Sequence, residues 1–523
     1  MESKFCLSII LFCINLALAS QHLSEFESIT PGEQNQTFKL PSSHHFQYII
    51  EHGDELTEGG ALPDNCDFTG YVSIEGSSTK GYLSINSEAT PGGVTILDIE
   101  LDISIKNWIV TRSKAVDFTP VAGTARNCSG AITPWGTIIT CEETTSSDLN
   151  GDSYYDLGWS TEIDPVTKKI IDQEGGLVGA DKLWALGNFK HENAIIHENR
   201  RTVYQGVDDG VGYLYKFVAD VAENLSSGKL YVYKGSKNGS GEWILLGNST
   251  ASEQNSTLSQ SANVGATVFA GVEDVDISPI DGKVYLAVKS EDRVYRFDDS
   301  DPLTGTTVIN FETYVGGQSY EIDGGIEPWG SGNDNLVFDD LGNLWVTQDG
   351  GRNYIWVVEN GHTQNNPKVK IFAQAPLSSE PTGLTFTPDY KYLFMSIQHP
   401  SPSNSVVSQK DAFGNERGFD KDVAIVIALV EDLNNPLSSS ESIREGVRVY
   451  PNPVDVELRI ELGKADKVQE VHFFDPVGKE VNIKFQILDH SLEASTTQFT
   501  SGIYTLRMLI NNEWISRKII VSR

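Results

Sequence analysis

At 523 residues the chain exceeds one ordinary domain, and 72 acidic against 39 basic side chains give it a formal charge of -33 at pH 7. A field of that sign repels nucleic acid and anionic membrane surfaces, which excludes both as partners. It suits a solvated extracellular protein, or a site that gathers cations.

Residues 1–20, MESKFCLSIILFCINLALAS, combine a lysine, a short apolar run and a small-residue end. That is the pattern of a signal peptide cut after Ala19 or Ser20, too short and wrongly flanked to remain as a membrane anchor. Cys6 and Cys13 leave with it, so the mature chain keeps Cys66, Cys128 and Cys141. Three thiols cannot all pair, and metal ligation is one way for an oxidising compartment to hold the odd one.

From Phe38 to Leu429 short apolar or β-branched runs alternate with Asp, Gly, Asn and Pro clusters, without a helical period. This predicts strands and tight turns throughout. A strand-turn-strand unit recurs as AIIHENRRTVYQGV from Ala194, VDISPIDGKVYLAV from Val275, LVFDDLGNLWVTQD from Leu336 and LTFTPDYKYLFMSI from Leu384. Such repetition marks a propeller, and about 60 residues per unit predicts six blades over residues 21–430.

Within that span, NCSGAITPWGTIITCEE from Asn127 sets Cys128 and Cys141 near Glu142 and Glu143. A soft thiolate beside hard carboxylates suits a mixed metal centre, iron taking sulfur and calcium taking oxygen. A Cys128–Cys141 disulfide across a hairpin, or Cys141 as a small buried hydrophobe, explains the same spacing. Further acids stand near strand ends: Glu192, Asp208 and Asp209, Glu273, Asp334, Asp349 and Glu380. Strand ends of successive blades converge on the axial channel, which would gather these acids into one cluster. Singly, each also reads as a turn-forming or solvated acid. The run DLNGDSYYD from Asp148 spaces oxygens like a calcium loop, but it lacks the sixth-position Gly and has Trp159 in place of the closing Glu.

Residues 431–445 are polar and Ser-rich, and read as a linker. Alternating strands return in 446–523, predicting a small β-sandwich. Tyr450-Pro451-Asn452-Pro453, the Asp475 to Gly478-Lys479 turn, Gly502-Ile503-Tyr504 and the basic end occur there in order. With these landmarks the segment resembles the C-terminal sorting domain of the type IX secretion system. The resemblance implies a Bacteroidetes-like cell, export by the type IX machinery, and removal of the tail with release or surface attachment.

The order of the earlier motifs also carries a resemblance. NCSGAITPWGTIITCEE, the His191-Glu192 pair, GVDDGVGYLYKFV, GATVFAGVED, NLVFDDLGNLWVTQDG and EPTGLTFTPDYKYLFMSIQHP resemble the PhoX-like alkaline phosphatases from about Asn65 to Pro400. The family implies a six-bladed propeller whose channel holds an iron–calcium cluster that hydrolyses phosphate esters. By motif, Cys128 would be the iron-bound thiolate. Glu143, Glu192, Asp209 and Glu273 would be ligands to iron or calcium, with Asp334, Asp349 and Glu380 as calcium ligands. One departure stands out. The family's Asp-Arg-Pro-Glu reads Ala270-Gly271-Val272-Glu273 here, so an arginine fork for phosphate oxygens is lost, and Arg126, Arg293 or Arg352 would have to replace it. The expected function is that of a secreted metal-dependent phosphatase. The alternative is a catalytically weak, calcium-binding propeller serving as a surface binding or scaffold module.

Overall fold

The computed structural model describes residues 21–173, 181–433, 447–462, 468–475, 479–488, 491–510 and 513–523. The expected signal peptide and most of the expected linker lie outside these residues. Two units divide the chain, Met1–Leu433 and Asn434–Arg523.

The first unit is a six-bladed propeller of antiparallel four-stranded blades. Blade 1 runs Cys66–Ser73, Lys80–Ser87, Gly93–Asp102 and Asn107–Ala115, and blade 2 starts at Asn127–Ile132 and Ile138–Glu142. Blades 3 and 4 start at His191–Ile196 and Val272–Ile277 and are fused edge to edge through the extra strand Gly239–Leu245. Blade 5 starts at Asn333–Phe338. Blade 6 takes Glu380–Phe386, Tyr392–Gln398 and Val423–Leu429, then borrows His44–Glu51 as its outer strand. That borrowed strand pairs His44 with Leu429 through to Glu51 with Val423, so the two ends of the unit close one sheet. The four repeats seen in the sequence are the inner two-strand hairpins of blades 3, 4, 5 and 6.

A twisted blade is apolar on both faces and must bury both against neighbours. Six apolar clusters answer that need, one at each junction between adjacent blades. At the junction of blades 6 and 1, Phe394 stacks on Tyr71 at 5.3 Å and meets Trp108 edge-on at 5.0 Å. All described cysteines are free and buried, which removes the Cys128–Cys141 disulfide. Cys141 faces the apolar junction of blades 2 and 3, as a small hydrophobe would.

The unit is nearly all β, as expected, with a short helical pair at Ala251–Asn255 and Thr257–Val264 between blades 3 and 4. The Thr250 side chain accepts from the Glu253 backbone N–H, while Glu253 Oε2 accepts from the Ser249 N–H at 2.8 Å. This is a variant of the capping box, its return bond reaching the N–H one residue before the cap, and the sequence carries it in Thr250-x-x-Glu253. Gly265 at φ +68° ends the second helix.

The second unit is a β-sandwich. One sheet orders Arg448–Tyr450, Glu457–Glu461, Ser491–Ser495 and Phe485–Leu488; the other orders Val468–Phe474, Gly502–Ile510 and Glu513–Val521. Tyr504, Leu506, Met508 and Ile510 alternate inward from one strand to meet Leu458, Ile460 and Phe473. Among the described residues no helix is long and apolar enough to cross a membrane.

Phe394→Ala should cost the propeller about 3–5 kcal/mol, because it empties a fully buried ring position shared by two blades. Denaturant midpoints at unchanged m-value would measure it.

Candidate metal centre

Each inner strand brings one carboxylate or thiol side chain to the same end of the axis. Asp67, Cys128, Glu192, Glu273 and Asp334 are each the second residue of their strand, and Glu380 is the first of its own. In the first five the ladder slips by one residue across that position: Cys66 pairs with Ser87 but Thr69 with Ile85, and His191 with Val207 but Ala194 with Gln205. The same bulge spans Asn127–Gly130, Val272–Val275 and Asn333–Leu336. A bulge re-aims a side chain that would otherwise lie against the neighbouring blade.

The residue after the ligand fixes the strand sideways. Asn193 Nδ2 donates to Val275 O at 2.9 Å and its Oδ1 accepts from Val275 N at 3.1 Å, tying blade 3 to blade 4. Leu336 N donates to Asp274 Oδ2 at 2.8 Å, and Gly383 N donates to Asn335 Oδ1 at 2.7 Å, tying blades 4 to 5 and 5 to 6. Thr382 Oγ1 donates to Asp67 Oδ1 at 2.8 Å and completes the link to blade 1.

These strand starts enclose a cavity of about 240 Å³. Two triads line it, Asp67 with Glu88 and Cys128, and Glu192 with Glu273 and Asp334, each with ligand atoms within 4.8 Å of one another. Cys128 Sγ lies 3.2 Å from Asp67 Oδ2. Glu143, Asp208, Asp349 and Glu380 complete the acids, and Arg126, Lys289 and His399 are the basic groups. Arg126 donates to Glu143 Oε2 at 2.6 Å and also to Glu88. His399 Nε2 is 3.8 Å from Glu380.

Burial dominates the electrostatics. It pushes Glu192 well above the usual carboxylate range, with Glu273 and Asp334 adding like charge, and does the same to Glu273, Asp334 and Glu380. Burial, helped by Asp67, raises Glu88 to about 8 and the Cys128 thiol well beyond its ordinary value. Glu273 Oε1 is buried without an aligned hydrogen-bond donor. A set of nine carboxyl groups and a thiol with this little compensation fits bound metal cations, which would let the acids ionise together.

Of the residues expected from sequence, the structure gathers Cys128, Glu143, Glu192, Glu273, Asp334, Asp349 and Glu380 in this lining. Asp209 is corrected. Its side chain is half exposed and paired with Lys190 at 3.2 Å, while its carbonyl accepts from Gly271 N. Asp208 turns inward instead, since neighbouring side chains in an extended segment point to opposite sides. Glu142 is also outside the centre: it is buried on Lys182 Nζ at 2.6 Å and on the Gly158 N–H at 2.9 Å. Asp67, Glu88 and Lys289 went unrecognised in the sequence. Asp67 had a signal, since it opens its strand at the second position as Glu192 does; Glu88 and Lys289 follow second strands and had none.

Of the arginines offered as substitutes, only Arg126 faces the cavity. Arg352 grips Glu327 at 2.5 and 2.6 Å, and Arg293 Nε donates to Glu291 O. Gly271 itself sits at φ +80°, and a Cβ there would lie 2.8 Å from Asp208 Oδ1. No arginine can be restored at that position without strain.

The family model for alkaline phosphatase PhoX matches residues 104–401, more than half of the chain. The protein belongs to the PhoX family. The model for the secretion system C-terminal sorting domain matches residues 448–522. Comparison with curated proteins returns no match. Among solved structures, PhoX of Pseudomonas fluorescens in complex with vanadate, a transition-state analogue, is similar at 20% identity and a TM-score of 0.61, covering 78% of this chain and 98% of that one. This likeness concerns the fold. A periplasmic gluconolactonase of Pseudomonas aeruginosa (9% identity, TM-score 0.33, 74% and 100% covered) and the calcium-binding protein regucalcin of Agrobacterium tumefaciens (11%, 0.32, 73% and 94%) are too distant to bear on the chemistry of this PhoX-family centre.

The acids predict an inverted pH response. In metal-free protein Glu88 holds its proton up to about pH 8, against an ordinary value of 4.5, so between the two the folded state binds more protons than the unfolded chain. Stability therefore falls as pH rises through that window. Millimolar calcium should raise the melting temperature and flatten the slope, because cations replace the protons. Melting curves in chelator and in calcium across the window check both effects.

Proposed function

We propose that this PhoX-family protein is a secreted phosphatase that hydrolyses phosphoric esters at an iron–calcium centre in the channel mouth. One observation carries the reading: two adjoining ligand triads, one containing a thiol and one built of carboxylates alone, share a single open cavity. The thiol-bearing Asp67, Glu88 and Cys128 suit iron, and Glu192, Glu273 and Asp334 suit calcium. When bound, such ions supply Lewis acidity toward phosphoryl oxygens and a more acidic water.

The chain's own contribution is placement and charge. Nine carboxylates against Arg126 and Lys289 leave seven negative charges when all are ionised (9 − 2), so a phosphate dianion is admitted only once multivalent cations are held. The bulged strand starts and their side-chain clips fix the donors on rigid sheet. Arg126, partly exposed at the rim, can turn its guanidinium fork from Glu143 toward a phosphate oxygen.

Gly271 favours a second reading, a calcium-binding propeller without catalysis, since it removes the arginine that the resemblance leads one to expect. Hydrolysis of an aryl phosphate by protein reconstituted with iron and calcium decides between them. Cys128→Ser and Glu273→Ala should each lower the rate about 10²-fold or more while leaving the fold intact. No phosphate release by the wild type from either monoesters or diesters would leave only the binding module.

The sorting domain supports export by the type IX machinery to the outside of a Bacteroidetes-like cell, either free or surface-attached. Cleavage falls in the Ser-rich stretch around Ser438–Ser440. Mass spectrometry of extracellular protein should then find no peptides from 471–523; an abundant intact tail would contradict removal.

A further inference from the structure

The cavity contains a fixed cation of the protein's own. Lys289 opens the short turn Lys289–Glu291 after the second strand of blade 4, where its backbone N–H donates to Gly271 O at 2.9 Å. Its Nζ lies 3.1 Å from Glu273 Oε1 and 3.1 Å from Asp349 Oδ2, bridging carboxylates of two adjacent blades. A calcium ion bridging the same pair would sit at about 2.3–2.6 Å from each oxygen, nearly the same place.

Two further observations agree. Asp349 belongs to neither triad, although its carboxylate faces the cavity. And the bare Gly271 lies beside the lysine stem, where an added Cβ would come within 3.4 Å of Lys289 Cβ. The glycine leaves the space beside the lysine stem unfilled.

We propose that Lys289 is a resident cation that takes the place of a metal ion between Glu273 and Asp349, so that Asp349 is neutralised by the lysine and ligates no metal. The inference rests on the reading of the cavity as a metal centre. It implies a latent further calcium subsite, on Glu273 and Asp349, that opens when the ammonium is removed.

The test is metal content per chain, by elemental analysis of purified full-length protein equilibrated with iron and calcium. Asp349→Asn in the otherwise unchanged protein should retain the wild-type count; loss of one ion would overturn the proposal. Lys289→Met should gain one calcium per chain, and Lys289→Arg should stay at the wild-type count. Should Lys289→Met fold only in calcium, purification in calcium followed by the same count still decides. Wild type that holds metal, with Lys289→Met gaining none, sinks this proposal alone. Wild type that holds no metal sinks it together with the reading of the centre.

Discussion

Like charges crowded at one point on the axis are the constraint on which the structure turns. Nine carboxyl groups and a thiol meet where six inner strands begin, half of them buried and the rest partly so, with one arginine, one lysine and one histidine among them. Without other cations, this arrangement survives only by holding protons, as the raised Glu88, Glu192, Glu273 and Asp334 show. Cations change the sign of the problem. The same acids that repel one another become a chelating cage, and the cost of burying each is offset by shared attraction to a common charge.

A propeller tolerates this concentration because its stability is generated elsewhere. The apolar clusters lie between blades, away from the axis, and the ring is closed by a strand nearly four hundred residues distant in sequence from its partners. Blade packing can therefore hold the strand starts together against repulsion at their tips. The bulges then aim the donors, and Asn193, Asp274 and Asn335 lock each bulged segment to the next strand through backbone groups. Ligand and clip are neighbours in sequence, as in Glu192-Asn193 and Asp334-Asn335, so one dipeptide both supplies an electrostatic load and restrains it.

Much of this was legible before the structure. Turn-bounded repeats disclose blades because a sheet that buries both faces needs apolar strands on a fixed period, and the tail's landmarks are local. Cys128, Glu192, Glu273, Asp334 and Glu380 were legible because each begins a recognisable inner strand. Glu88 and Lys289 were not, since they follow the second strands of their blades without a motif to mark them, and only the closed ring brings these strand ends to the axis. The slip between Asp208 and Asp209 has a similar origin: composition marks the pair, but which carboxylate turns inward depends on the backbone docking of Asp209 O onto Gly271. The helical pair at 251–264 was hidden by its low apolar content, and only its capping box announces it.

The bare glycine at 271 and the lysine at 289 are neighbours in one packed corner of the cavity. A side chain at 271 would crowd the Asp208 carboxylate and touch the Lys289 stem while its backbone sits at φ +80°, so a long cation there is strained and the lysine stands as the cation beside it. A guanidinium presents a fork to a ligand's oxygens, whereas an ammonium is a point charge that settles between the nearest two acids. Here those acids are Glu273 and Asp349. The cavity's lysine thus lies inside the cluster of acids, and Arg126 at the rim is its one guanidinium among the described residues. On the proposed reading, substrate affinity would therefore depend more on how many multivalent ions the cage retains, and less on a fixed side-chain clamp.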